Sequence, residues 1–469
     1  MRLAAVLGLA LLSAAAARTA TVTPEDDFRD SLAALLPGDT LYLLPGTYTA
    51  PDSLPLLHVL PGQAGVTITT SPDQPALLDG QGYNRPVLLL EGTGSRRTRV
   101  ELVEVMGGAA LGGEWFAGGG AFLSEASVIL FGCSFRDNTA FAGGAVAAEA
   151  GSQVIQRCTF TGNSSLATGG GVNLYACEAM ILDCRFTGNS CPDDGGALNS
   201  YQSSVTLRNV LMADNEAGDD GGGMTLLQGS HILEYVTLDS NSCGDDGGGI
   251  LFSSVDSAQV TSCIVTGNSG NHGITGKGSP DVEFLHCCAW GNEIANYCGW
   301  EDPTGTAGNI SQDPLYADTL RRLSHTAAGQ PEQSPCVDAG HEAAAGSWIE
   351  GYSTRTDSIP DSLTADMGYH WPDSLQTGPG GGDSPVESVF LFPSPFRGGL
   401  RIRVRAASMP VQVRLYDAAG RLVWEDAGTT AGSVWSGWWS PEDGVAAGVY
   451  LALVRVGDSV HTGKVVYLR

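Results

Sequence analysis

Positive charge is scarce in this chain. Of its 469 residues only 24 are Lys or Arg, against 51 Asp or Glu, and the formal net charge is −27. Nucleic acid and anionic lipid are excluded as partners, because both need a basic footprint, whereas a divalent cation is permitted. Lysine occurs only as Lys277 and Lys464, which reads as compositional bias of the genome. Long apolar runs are also lacking. After residue 18 none reaches the ~18 residues of a membrane-spanning helix, so no transmembrane helix is expected. Cysteine is modest and odd in number, with 11 residues, too few for a disulfide scaffold. No third-residue glycine period exists, which excludes collagen although Gly, at 64 residues, has about twice its usual share. A hydrophobic share of 42% excludes wholesale disorder.

Residues 1–18 carry the pattern of a secretory signal: Arg2 as the positive start, 3–12 as the apolar core and 14–17 as a small-residue cleavage zone. No cysteine stands at that zone, so no lipid anchor is expected. The mature chain should begin near Arg18 and be exported.

A repeat dominates the middle of the chain. Asn recurs at Asn138, Asn163, Asn189, Asn215, Asn241, Asn268 and Asn292, at intervals of 24 to 27 residues. Three residues before each stand Phe135, Phe160, Phe186, Met212, Leu238, Val265 and Ala289. Five before stand Cys133, Cys158, Cys184, Val210, Val236, Cys263 and Cys287. Another apolar column runs Ile155, Ile181, Leu207, Leu233, Val260 and Phe284. Glycine pairs open the repeats, as at Gly143-Gly144, Gly170-Gly171, Gly195-Gly196, Gly222-Gly223 and Gly248-Gly249. A helical repeat would show 3.6-residue periodicity; here short alternating runs are broken by Gly, Asn, Asp and Ser. One turn of chain per repeat, stacked at about 4.8 Å, makes a parallel β-helix. No coil can bury its own interior, and stacking like on like makes the core. The Asn amides are expected to bond one another up the stack and to tolerate left-handed angles at the bend. The Gly pairs are expected where a Cβ would obstruct.

The Phe-x-x-Asn and Gly-Gly-Ala elements (Phe135 to Asn138, Phe160 to Asn163, Phe186 to Asn189, Gly143-Gly144-Ala145, Gly195-Gly196-Ala197) resemble the chlamydial polymorphic membrane protein repeat. They are also similar to right-handed β-helix proteins of the pectate-lyase-like superfamily. Leu36-Pro37-Gly38-Asp39-Thr40 with Pro45-Gly46-Thr47-Tyr48 resembles that fold's opening coil. Its closing segment is resembled by Gly308-Asn309-Ile310-Ser311-Gln312-Asp313-Pro314-Leu315, by Ser334-Pro335-Cys336-Val337-Asp338-Ala339-Gly340 and by Asp366-Met367-Gly368-Tyr369. The resemblance covers about 24–371 and implies an all-β, right-handed parallel β-helix. That fold hosts lyases, hydrolases, adhesins and stalks alike.

The domain reading is a signal at 1–18, a β-helix at 19–371, a Gly/Pro linker at 372–386 and a small β-sandwich at 387–469. The last segment resembles the immunoglobulin-like module of flagellar hook-capping proteins and the type IX secretion sorting domain. The resemblance rests on Phe392-Pro393-Ser394-Pro395-Phe396, Leu415-Tyr416-Asp417-Ala418-Ala419-Gly420-Arg421, Gly448-Val449-Tyr450 and Gly463-Lys464-Val465-Val466-Tyr467. Where the usual pattern has Trp-Asp-Gly, this chain has Trp435-Ser436-Gly437. The resemblance implies an export machinery as partner; a plain cap or spacer is the other reading.

Chemistry concentrates four and five residues after the repeat Asn. Asp193, Asp219 and Asp245 form one column, continued by His272, and Asp194, Asp220 and Asp246 form the next. Like charges a coil apart repel by about 1 kcal/mol in water and more at lower dielectric. Solvation, protonation or a cation must relieve them. Three readings stay open: solvated Asp-Gly turns, a Ca²⁺ site on all six carboxylates, or a hydrolytic site. For the last, Gly218-Asp219-Asp220 and Gly244-Asp245-Asp246 resemble the acidic pair of polygalacturonases, and Asn271-His272-Gly273 part of their His motif. The resemblance implies inverting hydrolysis on Asp219, Asp220, Asp245, Asp246 and His272. That family's Asn-Thr-Asp and Arg-x-Lys motifs are missing. For a lyase, the pectate-lyase resemblance implies an Arg base beside a Ca²⁺-bound uronate, but Arg157, Arg185 and Arg208 sit near the Cys column, away from this corner.

The column thiols read as buried hydrophobes. Cys191 and Cys243 lie two coils apart, about 9.6 Å, too far to bridge. Among Cys287, Cys288, Cys298 and Cys336 one disulfide stays open. Trp115 and Phe116, in an irregular loop, are candidate sugar-stacking residues or a loop tucked on the flank. The reading that results is a secreted or outer-membrane-associated bacterial surface protein. Its role is that of a non-catalytic, adhesin-like scaffold contacting polysaccharide or cell-surface glycan. A polyuronate hydrolase or lyase at the Asp193–His272 corner, and an inert stalk, are the alternatives. Ca²⁺ is the one cofactor suggested.

Overall fold

The computed structural model describes residues 17–92, 96–112, 117–344, 349, 351–361 and 363–372, and in the C-terminal region 386–392, 400–406, 410–417, 421–429, 434–439, 441, 445, 448–456 and 459–467. Most of the signal segment and of the linker, and the loop holding Trp115 and Phe116, lie outside the described residues. Two units are compact in themselves, 1–377 and 378–469.

The first unit is a parallel β-helix. One coil shows the plan: strands Val146–Glu149, Ser152–Gln156, Thr159–Thr161 and Ser164–Ser165 follow one another around the turn. Each pairs in parallel with its counterpart a coil away, as in Val146 with Val172 and Ile155 with Ile181. The coils build a ten-stranded, a five-stranded and a nineteen-stranded sheet, the last holding two consecutive strands of most coils. The helix Phe28–Ala33 sits beside the first coil and sends Phe28 and Leu32 into the core.

The columns seen in the sequence are the core. Phe135, Phe160, Phe186, Met212, Leu238, Val265 and Ala289 are register partners in series. Phe135 and Phe160 stack at 5.4 Å between centroids, and Phe160 and Phe186 at 4.4 Å. The aliphatic column from Ile155 to Phe284 is likewise in register and buried. The Cys column is buried, and all 11 cysteines are free thiols. No disulfide therefore joins Cys287, Cys288, Cys298 or Cys336 in this structure. Burial pushes the Cys133 and Cys158 thiols up.

The Asn ladder forms as expected. Each Nδ2 donates to the next Oδ1 at 2.9–3.0 Å from Asn138 to Asn292. Each Oδ1 also accepts the backbone N–H of the Asn below, as from Asn163 to Asn189 at 3.1 Å. The left-handed angle falls not on the Asn but on the residue before it, for example Asp137, Gly162 and Asp214. The glycine corner begins at the same place in each coil and spans three positions, the third being Gly171, Gly223 and Gly249 but Ala145 and Ala197 in the other two. Gly143, Gly169, Gly195, Gly221 and Gly247 take positive φ. The next residue in each comes close to backbone: a Cβ on Gly196 would lie 2.3 Å from the Gly222 carbonyl oxygen.

After the last coil the chain folds back along the outer flank. Ile310 bridges Cys288, and Arg321 reaches Asp239 at 2.7 Å and Asp214 at 2.9 Å. The His341 N–H donates to Ser262 Oγ, the Tyr369 N–H to Thr237 Oγ1 and the His370 N–H to Asn209 Oδ1. Trp371 lies under the Arg185 guanidinium at 5.1 Å. This strap gives outward polar residues such as Asp183, Asn209 and Ser262 their partners, and so allows their burial.

The second unit has two antiparallel sheets. One holds Val386–Phe392, Leu400–Ala406 and Val434–Trp439; the other Pro410–Asp417, Leu422–Thr429, Gly448–Val456 and Ser459–Tyr467. Alternation buries Val411, Val413 and Leu415. Trp439 of the first sheet meets Tyr450 of the second edge-on at 5.1 Å. An all-β chain, a parallel solenoid followed by a small antiparallel β unit, is what the sequence predicts.

Candidate functional site: the acidic corner

The Asp pairs stand where each coil turns into the ten-stranded sheet, because Asp suits the turn that the following Gly completes. The Asp219 N–H donates to the Asp193 carbonyl and the Asp245 N–H to the Asp219 carbonyl, so the first column is a stack of exposed turns. The second column differs. Asp194 Oδ1 accepts the Asp220 N–H at 3.3 Å, and Asp220 Oδ1 accepts the Asp246 N–H at 2.9 Å. These half-buried carboxylates are rungs that hold one coil to the next.

His272 does not continue the column of Asp245. The corner above it is three residues shorter, and the strand His272–Lys277 pairs Ile274 with Ile250, which sets His272 level with Gly248. Its Nδ1 nevertheless approaches Asp246 Oδ1 at 3.3 Å. Asn271 Nδ2 donates to Asp245 Oδ1 at 3.3 Å.

Sequence reasoning missed Lys277. Its Nζ lies 2.8 Å from Asp220 Oδ2 and 3.5 Å from Asp246 Oδ2. Burial alone would lower this ammonium, but the bonds and charges of Asp220 and Asp246 together outweigh it and hold the group above its ordinary value. Among the described residues Asp194 has no such cation. Burial first, and then the Asp220 charge, push its carboxyl up to about 6.

Two trios of carboxylates bring oxygens within 4.8 Å of one another: Asp194, Asp219 and Asp220, and Asp220, Asp245 and Asp246. Arg157 faces Asp183, Arg208 faces Glu234 and Arg185 faces Trp371, so none of the three stands as a base at the corner.

A second cluster, also missed, lies in the strap. His325 Nε2 bonds Asp366 Oδ2 at 3.1 Å and Thr354 Oγ1 at 2.9 Å, and His370 Nε2 bonds Asp361 Oδ2 at 3.2 Å. Burial works against the Asp366 carboxylate, but the His325 bond, the His370 charge and the hydrogen bonds from Thr354 and the Asp338 N–H together prevail and hold it below the usual range. Asp338, Asp361 and Asp366 bring oxygens within 4.8 Å of one another. His325, Asp338, Arg355 and Asp361 line a cavity of about 190 Å³. The Asp-His pairings tie segments 325, 338, 354 and 361–370 together. Residues this far apart in sequence, and outside the repeat, left no periodic signal.

No protein-family model and no curated protein matches the chain. Among solved structures, the crystal structure of pectate lyase Pel9A is similar over 75% of this chain and 96% of that one, at 15% identity and a TM-score of 0.36.

Proposed function

We propose that this protein is an exported, non-catalytic β-helix scaffold that contacts polysaccharide or cell-surface glycan at a bacterial surface. In this reading the 387–469 unit serves export and attachment, as its likeness to sorting domains suggests, and the coils act as an adhesin-like repeat. One observation carries the non-catalytic part. The corner carboxylates of Asp194 and Asp220 are spent on the backbone of the next coil, and those of Asp220 and Asp246 on Lys277. A general acid and base must instead stand free toward substrate. Repetition over three coils is the mark of a structural device, since a reacting site is a singular departure from a repeat.

The test is a panel of neutral and uronate polysaccharides offered to the full chain, read both for retention and for products. Retention without new reducing ends or unsaturated products is expected. Turnover that Asp219→Asn or Asp245→Asn abolishes would replace this reading by an enzyme, and neither retention nor turnover would leave a stalk.

A further inference from the structure

In the strand Cys288–Trp290, alternation sends neighbouring side chains to opposite faces of the sheet. Cys287 and Ala289 point into the core of the solenoid, whereas Cys288 points outward, as its register partner Ile264 does. The strap covers Cys288 there. It packs with Ile264, Leu323, Cys336 and Met367, and Cys288 and Cys336 are both fully buried. Cys336 is fixed on the strap side: its N–H donates to Ser334 Oγ at 3.1 Å, and its carbonyl accepts the Met367 N–H at 2.9 Å. The two thiols therefore face each other across the seam between coil and strap, and they are hydrogen-bonded to one another.

The thiols of the Cys column stand differently. Cys133, Cys158 and Cys184, and likewise Cys263 and Cys287, point the same way into the core from successive coils. Parallel side chains keep their Cβ atoms a strand spacing apart, about 4.8 Å, beyond the about 3.5–4.5 Å that a disulfide needs. Opposed side chains, as in Cys288 and Cys336, carry no such restriction.

We propose that Cys288 and Cys336 are a disulfide site that clasps the strap to the solenoid when the chain meets a small disulfide of the oxidised-glutathione class. The Cys288 thiolate attacks one sulfur of the donor, breaks its S–S bond and releases one donor thiolate. The Cys336 thiolate then attacks the Cys288 sulfur of that mixed disulfide and releases the second. Two protein thiols and one donor disulfide become one protein disulfide and two donor thiols, which take up the two protons. The Cys336 bond holds the Cys288 thiol below its ordinary value against the effect of burial, and the same bond, with burial, pushes Cys336 up, so Cys288 is the first nucleophile. Both sulfurs are buried, so the donor reaches them only when the strap lifts. The bond closes the chain from 288 to 336, a loop long enough for the cross-link to remove much of the unfolded chain's freedom. An oxidising compartment, which export supplies, is what the site needs; the glycan reading plays no part in it.

The experiment equilibrates the reduced full chain with oxidised and reduced glutathione, then denatures it in acid, alkylates it and maps its cysteines by mass spectrometry. The parent should lose two of its 11 free thiols and yield one cross-linked pair, Cys288 with Cys336. Its Tm should rise over that of the reduced chain, and hydrogen exchange at Cys336 and Met367 should slow by roughly tenfold. Cys336→Ser, treated identically, should form no cross-link and show neither shift, whereas Cys158→Ala should still form the link. A parent chain that keeps all its thiols, stops at a glutathione adduct or links within the Cys column overturns the proposal. A Cys288–Cys336 link that changes neither Tm nor exchange overturns its role as a clasp.

Discussion

Lys277 Nζ stands 2.8 Å from Asp220 Oδ2 across 57 residues of sequence. It projects from the end of the strand His272–Lys277 and reaches the corners of two lower coils, because stacking places those coils side by side. It is the charge that the acidic column lacks. Lys277→Met keeps the apolar stem and removes the ammonium. With Lys277 38% exposed, a loss of about 1 kcal/mol is expected in denaturant unfolding, shrinking as salt is added. A salt-independent loss would show that packing, not charge, was removed.

The Asn ladder and the Phe stack make separate contributions to the same coils. Asn189 Oδ1 accepts from Asn163 N–H at 3.1 Å and from Asn163 Nδ2 at 2.9 Å. Asn189→Ala orphans the buried Asn163 N–H, a cost of about 1–3 kcal/mol. Phe160→Ala removes the ring between Phe135 and Phe186 and should cost about 3–5 kcal/mol. Equilibrium unfolding of both variants checks the order. A near-neutral Phe160→Ala would contradict the stacking register.

These columns were legible because each coil repeats the same physical demand at the same place. Phe160 and Asn163 announce their neighbours by spacing alone. The acidic corner was legible as a column, but its division of labour was not. Asp193 and Asp194 look equivalent in sequence, and only the fold makes one an exposed turn and the other a rung to the next coil. His272 was misplaced by counting from Asn268, because the top corner lost three residues while the strand register continued. Lys277 and the strap residues Arg321, His341 and His370 carry no period. Their partners are set by where the chain folds back, which no local pattern encodes.

Asp194 gives the corner a pH signature. Its folded value of about 6 lies above the ordinary 3.8, so between these values the native state binds more protons than the unfolded chain. Stability from this group is therefore full below about pH 4 and falls as pH rises through 6. The melting temperature of the parent, in chelator, should show a downward component over that window that Asp194→Asn lacks. Equal slopes for the two proteins would remove Asp194 as its source.

Asn209 ties the strap to the coils. It sits at φ 53°, fully buried, and its Oδ1 accepts the His370 N–H at 2.7 Å. Its Nδ2 donates to the His370 carbonyl at 2.8 Å and to Asp183 Oδ1 at 3.0 Å. Burial raises the Asp183 carboxyl, and the Asn209 bond is the leading force against that rise. Asn209→Ala leaves the His370 N–H and C=O unpaired and imposes the left-handed angle on a residue that disfavours it. A loss of about 2–5 kcal/mol is expected, and it should appear first in the strap. Hydrogen exchange should rise at His370 and Trp371 while the amides of the Asn163–Asn189 ladder stay protected. If protection falls equally in both places, strap and coils unfold as one, and the strap is part of the core rather than a cover laid over it.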